Sequence, residues 1–238
     1  MSASGGLLLT YATMTIDAVI FDLDGVILES EHVWHTVRRD FARAHGAHWD
    51  EQDQVSVMGA NSMQWAAHMR EKSGIGLSDR DIYAGVIGAL RDWYARDLPL
   101  IPGATDAILR LADDYSLGVA SSSPRELIEY ALELAGVRSC FAAVVSSDEV
   151  AQGKPAPDVY LEACARVGIS TRCTAAVEDS ENGLRAAAAA GLAVIAVPNP
   201  DFPPSASTMD VADAILRSIA ELTPNVVAAL RQGECGGD

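Results

Sequence analysis

The chain is poor in positive charge. Its 238 residues carry 17 lysines and arginines against 33 aspartates and glutamates, a formal net charge of -16. Such a field repels nucleic-acid phosphates and anionic membrane surfaces, so neither is an expected partner. Cysteine is scarce too: Cys140, Cys164, Cys173 and Cys235 show no CxxC spacing. A chain of this size does not depend on disulfide staples, and the four are expected to be reduced thiols in a cytoplasmic protein. Long apolar runs are scarce near the N-terminus as well, and no signal segment is expected there. The run at Leu7 to Leu9 has no basic flank and is too short for a signal segment or a membrane span. Residues 1–14 and 232–238 are expected to be disordered tails.

What remains is rich in apolar residues, at 49%, enough to bury one sizeable core and to leave material for a smaller accessory domain. Short apolar runs recur as IDAVIF (16–21), LGVAS (117–121), AAVVSS (142–147), TAAVE (174–178) and AVIAV (193–197). Runs of this kind belong to a parallel sheet covered on both faces. Between them lie helix-period segments over 104–113, 125–135, 158–167 and 181–190, with Gly136, Gly168 and Gly191 at plausible stop positions. The alternation predicts an α/β fold of right-handed βαβ units. Residues 29–98 break it: they contain helical segments and no convincing strand. The expected organisation is a core of residues 15–28 and 99–231, with an all-helical insertion over 29–98.

The first strand runs into Asp22-Leu23-Asp24-Gly25. In an open α/β sheet, ligands bind beyond the C-terminal ends of the strands, and i and i+2 of an extended segment share a face. Two carboxylates placed so closely repel unless a divalent cation or a retained proton relieves them, and phosphoryl transfer can use both. A calcium loop does not fit, because Ile27 stands where that loop needs Gly and Val33 where it needs the bidentate Glu.

Three later features fall at other predicted strand ends. Ser121 opens SSSPRE, where its hydroxyl and nearby N–H groups can hold phosphate oxygens. Lys154, in GKPAPD, can neutralise Asp22 and a phosphoryl group. Glu178 and Asp179, just before Ser180, Asn182 and Gly183, can complete an oxygen-rich shell for Mg²⁺. Read alone, each is an ordinary loop, cap or helix-start residue. Together they line up on one edge of one sheet.

In this order Asp22-Leu23-Asp24-Gly25-Val26, Ser121, Lys154 in GKPAPD, and Glu178-Asp179-Ser180 with Gly183 resemble the four motifs of the haloacid dehalogenase superfamily, over about residues 16–220. The stretch Glu29-Ser30-Glu31 is similar to the β-phosphoglucomutase-like branch. The resemblance implies a Rossmann-like parallel-sheet core with helices on both faces and a helical cap inserted after the first strand. It implies Asp22 as the nucleophile of an aspartyl-phosphate and Asp24 as general acid and base, the latter also giving a backbone carbonyl to Mg²⁺. Ser121 and Lys154 would hold the transferring group, with Ser122 and Arg125 as further phosphate contacts. Asp179 would be a direct metal ligand, and Glu178 one either directly or through water.

A small phosphorylated metabolite is the expected substrate, handled by a monomer or small homo-oligomer. Asp24 favours phosphate esters over haloacids, since dehalogenases of the family lack that second Asp. A phosphomutase is the alternative, and a non-catalytic phospho-ligand binder a more distant one. In the mutase, a cap histidine twelve residues beyond the nucleophile helps suppress attack by water. Trp34 stands at that position here, which favours a phosphatase. Trp34, Arg38, Asn61, Trp65 and Arg91 are candidates to line the cleft and set substrate choice.

Overall fold

The computed structural model of the chain describes residues 15–57, 60–199 and 203–230, so both expected tails, 1–14 and 232–238, lie outside the described residues. Its first strand, β1 (Ala18–Phe21), leads into four helices: α1 (Glu31–Ala44), α2 (Glu51–Ser56), α3 (Ser62–Ser73) and α4 (Asp79–Arg96). The chain then alternates through α5 (Ala104–Ala112), β2 (Ser116–Ser121), α6 (Arg125–Leu134), β3 (Phe141–Ser146), α7 (Asp158–Val167), β4 (Thr174–Glu178), α8 (Glu181–Ala189) and β5 (Ala193–Ala196). It ends with α9 (Ala206–Met209), β6 (Ala214–Ile215) and α10 (Pro224–Ala228). The sheet order is β3-β2-β1-β4-β5-β6, with every pairing parallel. β1 is therefore central, and the chain leaves it first to one side and then to the other.

Alternate strand residues feed two cores, as a period of two requires. Val19, Phe21, Val119, Val144, Val177 and Ile195 face one, packed with α5 and α6; Ile20, Ala120, Val145, Ala176, Val194 and Ala196 face the other, with α7 and α8. Both faces are thus covered, which is why the strands read as continuous apolar runs. Gly118 in β2 is a fitting requirement: a Cβ there would lie 2.7 Å from Ile20 Cδ1. The small alanines of α8 let that helix lie close against the sheet, where Ala186 and Ala187 are fully buried.

The helices after β1 are joined to the first core rather than forming an isolated bundle. Val33, Trp34, Val37, Trp65, Met69 and Leu90 belong to the same apolar cluster as β1 and the Leu23–Leu28 segment. Polar contacts tie them to the sheet's rim. Ser62, at the start of α3, donates its N–H to Asp148 Oδ1 at 2.8 Å and its hydroxyl to Oδ2. Tyr83 donates to Glu126 Oε1 at 2.7 Å, and the Arg91 guanidinium lies 4.3 Å from the centre of the Tyr130 ring. Among the described residues no helix is long and apolar enough to cross a membrane.

Candidate active site

The sheet delivers four chain segments to one place. Asp22 follows β1 directly and its N–H still bonds Val177 O at 3.0 Å, extending the ladder by one residue. Ser121 closes β2 and Glu178 closes β4, one on each side of β1. Gly25 makes the turn that follows, with φ +83, a conformation open to glycine at little cost. A Cβ at Gly25 would also run into the Asp179 carboxylate, so this glycine keeps both the turn and the space that Asp179 occupies.

Lys154 is buried and directs all three of its protons inward. Nζ donates to Asp22 Oδ1 at 2.9 Å, to Ala120 O at 3.0 Å and to Glu178 Oε1 at 2.5 Å. Burial opposes the charge on Lys154, but Asp22 and Glu178 outweigh it and hold the ammonium above its ordinary range. Asp22 and Asp179 are pushed the other way. Burial raises the Asp22 carboxyl, opposed by Lys154 and reinforced by Glu178 and Asp24. Burial raises the Asp179 carboxyl as well, with Glu178 and Asp22 adding repulsion. One ammonium cannot balance this many buried carboxylates.

A divalent cation fits that deficit. Asp22, Glu178 and Asp179 each offer a carboxylate oxygen within 4.8 Å of the others. Asp179 Oδ1 is buried with no hydrogen-bond partner, an arrangement that costs free energy unless something binds there. Glu178 differs. Its Oε1 accepts from Lys154 and from Tyr160 OH at 2.7 Å, and its Oε2 accepts from Asp179 N, Ser180 N and Ser180 Oγ at 3.1, 3.4 and 3.1 Å. With five donors already on it, Glu178 reads as the residue that positions Lys154 and the Asp179 turn.

Asp24 lies apart from the carboxylate cluster. Its Oδ1 accepts from Ser30 Oγ and from Trp34 Nε1 at 3.3 Å; its Oδ2 accepts from Ser121 Oγ at 3.3 Å and Ser123 Oγ at 2.7 Å. Ser121 is fully buried and its hydroxyl also accepts from Ser123 N at 3.0 Å, so in this arrangement it serves Asp24. Over these residues opens a cavity of about 360 Å³. Asp22, Asp24, Lys154, Asp179, Ser122 and Ser123 line its sheet side, and Glu31, Trp34, Arg38, Gln54 and Trp65 its helical side.

One expected phosphate contact, Arg125, and one expected cleft residue, Asn61, are not brought there. Arg125 donates Nη1 to Glu149 Oε1 at 3.0 Å and Nη2 to Glu129 Oε1 at 3.2 Å, away from the cavity. Two carboxylates on its own side of the sheet satisfy it. Asn61 is the N-cap of α3, where its Oδ1 accepts from Gln64 N at 3.0 Å, and helix capping accounts for it. Arg91, a cleft candidate, is taken by Tyr130. Sequence reasoning missed Glu31, Gln54, Ser123 and Tyr160. The spacing Glu31-Trp34-Arg38 was a usable signal, since i, i+3 and i+7 share one helix face.

A family model described as haloacid dehalogenase-like hydrolase matches residues 16–191 of this chain. Hexitol phosphatase B of Escherichia coli K12 is 30% identical over 209 residues, covering 87% of this chain and 94% of that protein. A probable pseudouridine-5'-phosphatase of Drosophila melanogaster is 31% identical over 214 residues, covering 86% and 90%. Among solved structures, CbbY from Rhodobacter sphaeroides in complex with phosphate superposes with a TM-score of 0.81 at 27% identity, covering 91% of this chain and 100% of that one.

Proposed function

The chain belongs to the haloacid dehalogenase-like hydrolases, and from that premise we propose that it removes phosphate from a small phosphorylated metabolite, a sugar phosphate or similar, with Asp22 as nucleophile and Mg²⁺ as cofactor. The relatives are phosphatases by name, one of a hexitol and one of pseudouridine-5'. The observation that carries the reading is the placement of Asp22: at the end of the central strand, lining the cavity, 2.9 Å from Lys154 Nζ and clustered with Asp179.

Asp22 and Asp179 would hold the metal, with the Asp24 carbonyl as a further ligand, while Glu178 orients its neighbours. Bound there, Mg²⁺ supplies positive charge that offsets the repulsion between the site's carboxylates and an anionic substrate. Lys154 shares that task for the transferring group, helped by Ser122 at the cavity wall. An Asp22 oxygen bonds to phosphorus as the ester P–O bond breaks, and Asp24 gives its proton to the departing alcohol oxygen. Water then attacks the aspartyl-phosphate, Asp24 takes the proton, and Asp22 and inorganic phosphate separate. The donors around Asp24 suit both of its states, because serine hydroxyls rotate to donate or accept.

The insertion over 29–98 acts in this reading as a cap that closes over the substrate, held by the Ser62–Asp148 and Tyr83–Glu126 contacts. Hydrolysis is favoured over a mutase because an indole, not a histidine, sits on Asp24. The test is phosphate release from a panel of sugar, nucleotide and glycolytic phosphates, with Mg²⁺ or with chelator, for the parent and Asp22→Asn. Metal-dependent release lost in the variant is the expected result. Appreciable Mg²⁺-dependent release by Asp22→Asn overturns the mechanism.

A further inference from the structure

The helical wall of the cavity carries a polar group that the phosphoryl-transfer residues do not use. Arg38 is only 5% exposed, yet among the described residues no carboxylate forms an ion pair with it. Its guanidinium is clamped 4.4 Å from the Trp34 ring centre and 4.8 Å from that of Trp65, two rings that meet edge to face at 71°. Nη1 donates to Gln54 Oε1 at 3.1 Å, and Nε is buried without an acceptor. Gln54 donates in turn to Glu31 Oε1 at 2.7 Å, leaving the second oxygen of Glu31 without a protein donor among the described residues. Burial raises the Glu31 carboxyl, partly opposed by Gln54 and Arg38.

A buried guanidinium with no ion pair, at the edge of the cavity and with no protein acceptor for Nη2 among the described residues, is costly unless a ligand completes it. The aromatic clamp fixes the plane of its fork, so the unmet donor is preorganised rather than mobile. We propose that Glu31, Gln54 and Arg38 form the subsite for the leaving group, and that this group is an uncharged polyhydroxylated chain, a polyol or open sugar, carrying no second phosphate. The proposal rests on the phosphatase reading above.

The chemistry separates the ligand classes. A hydroxyl both donates and accepts, and so meets Glu31 and Arg38 together. A phosphate or carboxylate only accepts, and would face Glu31 as a like charge. One carboxylate and one guanidinium leave the subsite near neutral, a poor match for the second anion of a bisphosphate.

The test compares the Mg²⁺-loaded parent with Arg38→Lys and Glu31→Gln on sorbitol 6-phosphate, glucose 1,6-bisphosphate and p-nitrophenyl phosphate, with circular dichroism to verify folding. In the parent, sorbitol 6-phosphate is expected to have the highest kcat/KM of the three. Losing the fork in Arg38→Lys is expected to lower the ratio of kcat/KM for sorbitol 6-phosphate over p-nitrophenyl phosphate by about tenfold, the range of a charge-assisted hydrogen bond. Removing the carboxylate in Glu31→Gln should move selectivity toward the bisphosphate.

An unchanged ratio in both folded variants, or a parent that prefers the bisphosphate or p-nitrophenyl phosphate, overturns the proposal. Calorimetric binding to Asp22→Asn keeps the two readings apart. If the parent hydrolyses nothing, the phosphatase reading fails, while sorbitol 6-phosphate binding weakened about tenfold by adding Arg38→Lys still supports the subsite. Equal binding with and without Arg38→Lys refutes it.

Discussion

Tyr160→Phe isolates the buried network that orients the lysine. The Tyr160 hydroxyl donates to Glu178 Oε1 at 2.7 Å, and both residues are fully buried. Phenylalanine keeps the ring and its volume, so neither a cavity nor overpacking enters. The ring also remains under Lys154, whose Nζ lies 5.1 Å from its centre. What is lost is one hydrogen bond to a charged acceptor. Because Lys154 still donates to the same oxygen at 2.5 Å, no orphan is left, and the loss falls at the low end of the charged hydrogen-bond range, about 1.5 kcal/mol.

For a chain of this size that corresponds to a fall in Tm of roughly 3–6 °C. Urea denaturation and thermal melts of the metal-free protein measure both. The variant should also lower kcat more than it raises KM, because Lys154 and Asp22 lose part of what holds them while the helical side of the cavity is untouched. A loss below about 0.5 kcal/mol, within the range of substitutions away from such networks, with unchanged kcat, would show that Glu178 is positioned by Lys154 and the Asp179 turn alone.

Two further outcomes follow from the charge arrangement. Mg²⁺ should raise the Tm of the parent, by the equivalent of about 2.7 kcal/mol at a hundred times Kd, and Asp179→Asn should remove most of that gain in differential scanning calorimetry. Glu31 gives a pH signature: burial raises its folded value above the ordinary 4.5, so the folded state holds the proton longer and stability falls as pH rises from 4.5 toward the raised value, then levels. Glu31→Gln should flatten that part of the urea stability profile, and an unaltered slope would place the shift in another group.

The core of this fold was legible because its strands obey simple rules. Buried parallel strands must be apolar throughout, so TAAVE and the helix over 158–167 were readable to the residue, and the glycine stops at 136, 168 and 191 appear as left-handed turns. β6, with two residues, and α2, with six, were not. Both are too short to show a period, and α2 is polar, set by its capping box at Asp50 and Asp53.

At the site, carboxylates at strand ends carry a strong local signal, and Asp22, Asp24, Lys154 and Asp179 all border the cavity. Arg125 and Asn61 show the opposite case. A cation near a serine loop, or an amide at a helix start, has competing partners that only the tertiary arrangement reveals: Glu129 and Glu149 for the first, the Gln64 N–H for the second.

The same competition explains how a chain with net charge -16 can attract a phosphate ester. Three arginines at the rim are already spent on carboxylates: Arg125 on Glu129 and Glu149, Arg166 on Glu149 and Glu162, Arg138 on Glu129. They neutralise part of the rim, so these three do not draw an anion to the wrong place. Lys154 is buried against Asp22, and Arg38, buried on the opposite wall of one cavity, has no ion pair among the described residues. In the proposed mechanism the remaining attraction comes from a metal beside Asp22 and Asp179, so substrate binding and metal binding are expected to be thermodynamically linked. Each ligand should tighten the other by the same factor. A substrate affinity that did not change when Mg²⁺ was removed would refute this linkage and leave the anion to Lys154 alone.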